Sequence, residues 1–179
     1  MTRIFQIVSV MAIVAALAIA QTPVAATDTT SPGEFLVHTG VSTDFVSHQP
    51  SALAGFSAKV GNIGGVPTFS TTAFETSLIK SPGQSSNQVT MTTGFLQIPY
   101  HQPHWGLYYY SQAGIVKFDV ATLGTVNGGA GAYLDIGGIA TKDKHHVWLS
   151  GGPRQLAIMS LQNKLTWLIE LTTVFHKSE

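Results

Sequence analysis

The chain has 179 residues, no cysteine and a formal net charge of zero, its nine basic residues scattered along the length. This excludes disulfide staples, a lipid-bearing cysteine after a cleavage site, and the basic patch of a nucleic-acid-binding protein. Only 10% of residues are charged, against roughly 25% in ordinary soluble domains. Glycine, serine and threonine make up the difference, which favours sheet over a solvated helical fold.

Residues 1–20 combine Arg3 with an apolar run, Ile4 to Ala20, broken only by Gln6 and Ser9. Ala18-Ile19-Ala20 fits the small-x-small cleavage pattern, so a removable helical signal peptide over 1–20 is expected, with Gln21 as the new N-terminus. Val24-Ala25-Ala26 is a weaker second site. Residues 21–33 are polar and rich in threonine and proline, a flexible leader into a folded domain over 34–179. No later stretch has the apolar length of a transmembrane helix, so any membrane crossing would be made by strands.

Side chains of a strand point alternately to its two faces. Phe35 to Val46 sets Phe35, Val37, Val41 and Phe45 against Leu36, His38, Gly40, Ser42 and Asp44. After a turn at His48-Gln49-Pro50, Ala52 to Asn62 sets Ala54, Phe56, Ala58 and Val60 against Gly55, Ser57, Lys59 and Gly61. Gly64-Gly65 predicts a tight turn into a threonine-rich strand, Val66 to Ile79, with Phe74 on one face and Phe69 and Glu75 on the other. Lys80 to Asn87 is a loop. Val89 to Ile98 is the next strand, its greasy side switching near Leu96 and Ile98.

Pro99 to His104 is expected to be a connection. Trp105 to Val120 is the most aromatic strand, with Tyr108, Tyr110, Gly114, Val116, Phe118 and Val120 opposing Tyr109, Ser111, Ala113, Ile115, Lys117 and Asp119. Thr122 to Asn127 is a loop or a strand extension. Gly128 to Ile139 places Ala130, Ala132, Leu134 and Ile136 against Gly129, Gly131, Tyr133, Asp135 and Gly137. A turn at Lys142-Asp143-Lys144 leads to His145–Leu161, which Ser150-Gly151-Gly152-Pro153 is expected to kink or interrupt. Asn163-Lys164 is expected to turn into the last strand. There Leu165, Trp167, Ile169, Leu171 and Phe175 oppose Thr166, Leu168, Glu170, Thr172 and Val174.

About eight evenly spaced strands without a βαβ rhythm predict an all-β fold, an antiparallel up-and-down β-barrel. In a membrane barrel the apolar faces meet lipid and the polar faces fill a narrow lumen. Phe56, Val116, Phe118, Leu134, Trp167, Ile169 and Phe175 are then lipid-facing, and Lys59, Lys117, Asp119, Asp135 and Glu170 form a luminal charge network. Glycine on the polar face (Gly40, Gly55, Gly61, Gly129, Gly131, Gly137) makes room in a tight lumen. Aromatic residues near strand ends (Phe35, Phe45, Tyr100, Trp105, Tyr108, Trp148, Trp167, Phe175) suit interfacial girdles. The alternative is a soluble secreted or periplasmic barrel or sandwich with the faces inverted, binding a small apolar or sugar ligand.

With these features the chain resembles the small eight-stranded outer-membrane β-barrel proteins of Gram-negative bacteria. The resemblance rests on the signal-like start, the alternating strands, the glycine-rich Gly128–Tyr133 and a last strand carrying Phe175. The chain departs from the family in continuing through His176 to Glu179 and in its short outer loops. The resemblance implies an outer-membrane location, membrane lipid and the barrel-assembly machinery as partners, a structural or surface-interaction role, a narrow or plugged lumen, and neither catalysis nor a cofactor.

Other chemistry is weakly supported. His101 and His104 in one connection and His145 and His146 in another have donor atoms suited to zinc or copper, yet no cysteine or well-placed carboxylate joins them, so no metal is assigned. Ser150-Gly151-Gly152 and Gly64-Gly65 match neither a nucleophile elbow nor a phosphate loop. Glu75, Asp119, Asp135 and Glu170 are more simply lumen charges than a hydrolytic pair. Tyr108 to Tyr110 are expected at the membrane interface rather than stacking sugars.

Overall fold

The computed structural model describes residues 33–79, 87–142, 145–159 and 162–175. The expected signal peptide, most of the leader and of Lys80–Asn87, Asp143-Lys144 and the tail His176–Glu179 lie outside the described residues.

Eight strands follow in order: β1 (Phe35–Asp44), β2 (Pro50–Ile63), β3 (Val66–Ser77), β4 (Val89–Gln102), β5 (Trp105–Lys117), β6 (Thr122–Asp135), β7 (His146–Ile158) and β8 (Gln162–Phe175). A short helix, α1 (Ile136–Thr141), joins β6 to β7. Each strand pairs antiparallel with its chain neighbours, and β1 closes on β8, with Phe35 opposite Phe175 and Asp44 opposite Thr166. Closure leaves no sheet edge, so the ladder groups satisfy one another, as a wall without water contact requires.

The turns follow local chemistry. Gly64 and Gly65 both have positive φ (61° and 83°), the backbone of a type I′ hairpin that only glycine adopts freely. Asp44 caps the first loop, accepting from the N–H groups of Val46 (2.7 Å) and Ser47 (3.0 Å). Pro99 stands inside β4 where the register shifts between Gln97 and Tyr100, a bulge that tolerates its missing donor.

Several boundaries differ from expectation. Pro99 to Gln102 belong to β4, and the turn is Pro103-His104 alone. Thr122 to Asn127 are strand, and Ile136 to Thr141 are helix, started by the Asp135 carboxylate accepting from Gly138 N–H at 2.8 Å. Ser150-Gly151-Gly152-Pro153 do not interrupt β7, whose pairing with β8 is continuous, while the ladder to β6 lapses at Gly152 and Pro153, where the proline has no donor to offer. Asn163 and Lys164 are paired within β8, opposite Ala157 and Leu156, so the turn comes earlier.

The interior is layered. At the end where β1 begins and β8 finishes (the terminal end), Leu36, Phe69, Ile98, Tyr108, Tyr133, Trp148 and Val174 form an apolar cluster. At the opposite, loop end, Val116, Leu156 and Ile158 pack with Phe118 and Leu123. Each fully buried aliphatic or phenyl side chain among these contributes about 1.5–3 kcal/mol. Leu96 and Ile98 both serve the first cluster, which explains the apolar switch late in β4: that strand has grease on both walls.

The β5–β6 ladder shows how rings fit a narrow barrel. Gly106 faces Tyr133, Tyr108 faces Gly131, and Tyr110 faces Gly129. Each ring lies across the opposing glycine; a Cβ on Gly131 would stand 2.7 Å from Tyr108 Oη, and one on Gly129 2.9 Å from Tyr110 Oη.

This phase corrects the reading of β5. Val116 is fully buried and Phe118 packs on the loop-end cluster, so neither faces lipid. Directly opposed residues share a face, and Val116 stands opposite the inward Thr90, which fixes the phase. Tyr108 and Tyr110 are therefore interior and Tyr109 is outside. Trp148 is also interior, 4.1 Å from Tyr133 in a stacked pair, and joins no girdle.

Candidate functional site

The polar interior lies between the two apolar clusters. Arg154 on β7 reaches across to Glu75 on β3 with two bonds of 2.8 Å, Nη1 to Oε2 and Nη2 to Oε1. Ser42 donates to Glu75 at 2.7 Å and accepts from Arg154 at 3.1 Å, while Arg154 Nε donates to Thr166 Oγ1 at 3.0 Å. A bidentate, charge-assisted pair with its spare hydrogen bonds filled is the geometry that offsets the desolvation of both ions.

Around it lie neutral partners. His38 bonds Ser57 Oγ through Nε2 (2.7 Å) and Thr172 Oγ1 through Nδ1 (3.1 Å). Gln112 accepts from Thr92 at 3.0 Å and donates to Thr71 at 3.4 Å. Arg154 lines two small cavities of about 30 Å³ each, one shared with Asp44 and Lys164, the other with His38, Tyr110 and Glu170. Each is large enough for a water or two and too small for a drug-sized ligand.

The five residues expected to form the luminal network do not meet at one place. Glu170 faces the interior and lines one of the small cavities with Arg154 and His38. Asp135 is buried at the terminal end, where it contacts His146 Nδ1 and accepts from Val147 N–H at 3.2 Å. Lys59 stands near the same end, 3.5 Å from Glu34. Lys117 is exposed on the outer wall, because the inward phase of Val116 turns it out. Asp119 is exposed in the Phe118–Ala121 turn, closed by the Phe118 N–H to the Ala121 carbonyl at 2.8 Å.

Arg154 was missed by sequence reasoning. Its signal was the alternation Trp148, Ser150, Gly152, Arg154, Leu156, which becomes visible only once the glycine pair is kept within the strand. Four histidines do gather at the terminal end or beside it, but they serve different contacts: His101 bonds the Tyr133 hydroxyl and His146 the Asp135 carboxylate. Among the described residues no group of three or more His, Cys, Asp or Glu is arranged to hold a metal.

The outer wall is the second half of the site. Leu165, Trp167, Ile169, Leu171 and Phe175 of β8 all stand exposed on it, with Phe56, Phe74, Met91, Phe95, Ile115 and Leu134 on other strands. Two of its threonines bond within the wall: Thr72 donates to Thr93 at 3.3 Å, and Thr93 to the Thr71 carbonyl at 3.0 Å. Aromatic pairs sit near its rims, Phe35 with Phe56 and Phe175 at one end and Phe45 with Trp167 at the other. A closed sheet with apolar residues outside and ion-paired residues inside inverts the arrangement of a water-soluble barrel.

The architecture is that of a transmembrane β-barrel. Among solved structures the chain is similar to a de novo designed transmembrane β-barrel, with a TM-score of 0.52 and 14% identity over 80% of this chain and 97% of that one. It also aligns with the outer-membrane enzyme PagL (TM-score 0.47, 10% identity, 77% and 97% covered) and with Ail, the attachment invasion locus protein of Yersinia pestis (0.46, 10%, 80% and 99%). No protein-family model matches the chain, and no curated protein matches it in sequence.

Proposed function

We propose that this chain is an exported outer-membrane β-barrel with a structural or surface-interaction role, a plugged lumen and no catalysis. One observation carries the reading: all eight strands present apolar residues outward around an interior filled by side chains and bridged by Arg154 and Glu75. Membrane lipid solvates the wall. The barrel-assembly machinery is the expected partner of β8, whose outward row ends at Phe175, and residues 1–20 supply the export signal. A lumen filled by the terminal-end apolar cluster and the Arg154–Glu75 network favours an anchor or scaffold over a solute channel.

Fractionation of expressing cells, followed by electrophoresis in detergent with and without boiling, tests this reading. The folded barrel is expected in the outer-membrane fraction with a heat-dependent change in mobility. Recovery of folded protein entirely in the soluble fraction would overturn it.

A further inference from the structure

From the loop end we infer that the tips of the β1–β2 and β5–β6 hairpins lie within the lipid headgroup–acyl boundary of the same bilayer, not in the water beyond it. This rests on the membrane reading above. Each of the four loop-end connections carries exposed apolar residues: Phe45 and Val46 after β1 and Val120 after β5 in the turns themselves, Leu78 and Ile79 directly after β3, and Met159 directly after β7. Val46 is 89% exposed and Val120 96%, with no described residue covering them. At the terminal end the turn residues are Gly64-Gly65 and Pro103-His104, flanked by exposed Ile63 and Trp105, and α1 exposes Ile136 and Ile139.

The tips continue the outer wall. Phe45 packs edge-on against outward Trp167, ring centroids 6.3 Å apart. Met159 lies across the outer face of β6, its Sδ 2.8 Å from where a Cβ of Gly124 would stand. Lys117, exposed at the last position of β5, lets its stem follow the wall while its ammonium reaches headgroups. Ser47, His48 and Gln49 of the first loop and Asp119 of the third supply the polar groups such a boundary also accommodates. An apolar ring at the rim, continuous with a lipid-facing wall and interspersed with polar groups, has the chemistry of an interfacial surface.

The chain contains no cysteine, so an introduced thiol is unique. Val46→Cys and Val120→Cys, each labelled with an environment-sensitive nitrobenzoxadiazole dye, are reconstituted in phosphatidylcholine vesicles beside Asn62→Cys at the terminal end and Ile169→Cys on the wall. Both tip labels are expected to be quenched by spin labels at shallow acyl positions and several-fold less by aqueous iodide than the Asn62 label. Iodide quenching of both tips equal to that at Asn62, with Ile169 still quenched from lipid, would place the tips in water and overturn this inference alone. An Ile169 label unreached by lipid quenchers would overturn the membrane reading and this inference with it.

Discussion

Arg154 and Glu75, 79 residues apart in sequence, tie opposite walls of the barrel together through two hydrogen bonds of 2.8 Å. Strands β3 and β7 are not neighbours in the sheet, so the ladder does not hold them in this relation. Arg154 lines both small cavities, and Glu75 lines with it the one shared with Asp44 and Lys164.

Removing one partner leaves the other as a buried, uncompensated ion. Arg154→Met is therefore expected to cost about 3–5 kcal/mol, and Arg154→Met combined with Glu75→Leu to recover most of that. Urea unfolding of the barrel in lipid vesicles measures both. A single variant as stable as the parent would show that the interior hydrates Glu75 adequately without the arginine.

Tyr108 depends on Gly131 for its place. A Cβ there meets both the tyrosine hydroxyl, at 2.7 Å, and the backbone of Gly151. Gly131→Ala is expected to destabilise by about 1–3 kcal/mol through overpacking. Gly131→Arg, much larger, is expected to block folding, seen as loss of the heat-modifiable band. Normal assembly of the arginine variant would mean that the β5–β6 wall yields more than this packing allows.

On the outer wall, depth sets the cost of charge. Ile169→Arg, midway along the outward row of β8, is expected to destabilise by about 2–4 kcal/mol, and Leu165→Arg, near the loop end, by about 0–1 kcal/mol. Equal costs at the two positions in the same vesicles would argue against a bilayer around this strand.

At Gly64-Gly65 the left-handed backbone penalises any side chain with a Cβ. Gly64→Val is expected to lose about 1–2 kcal/mol, and Gly64→Asn considerably less, since asparagine tolerates this region. Refolding yields and unfolding midpoints of the two variants give the comparison.

Much of this architecture was legible in the chain. Alternation identified eight strands, and in β1, β2, β6 and β8 it separated the residues now found outside from those inside, because one face of each is plainly greasier. The same rule failed in β5. There both faces carry aromatic and aliphatic residues, and Lys117 drew attention away from Gly106, Gln112 and Gly114, whose small or polar side chains mark the inner face.

Sequence by itself determined the period, the tight glycine turn and the scarcity of charge, because these depend on neighbouring residues and local backbone sterics. Only the tertiary structure decided which β5 face turned inward, since opposed residues share a face and Thr90 on β4 holds Val116 inside. It alone joined Arg154 to Glu75 as well: that pair exists because closing eight strands brings opposite walls within reach of one side chain, a distance no local pattern encodes.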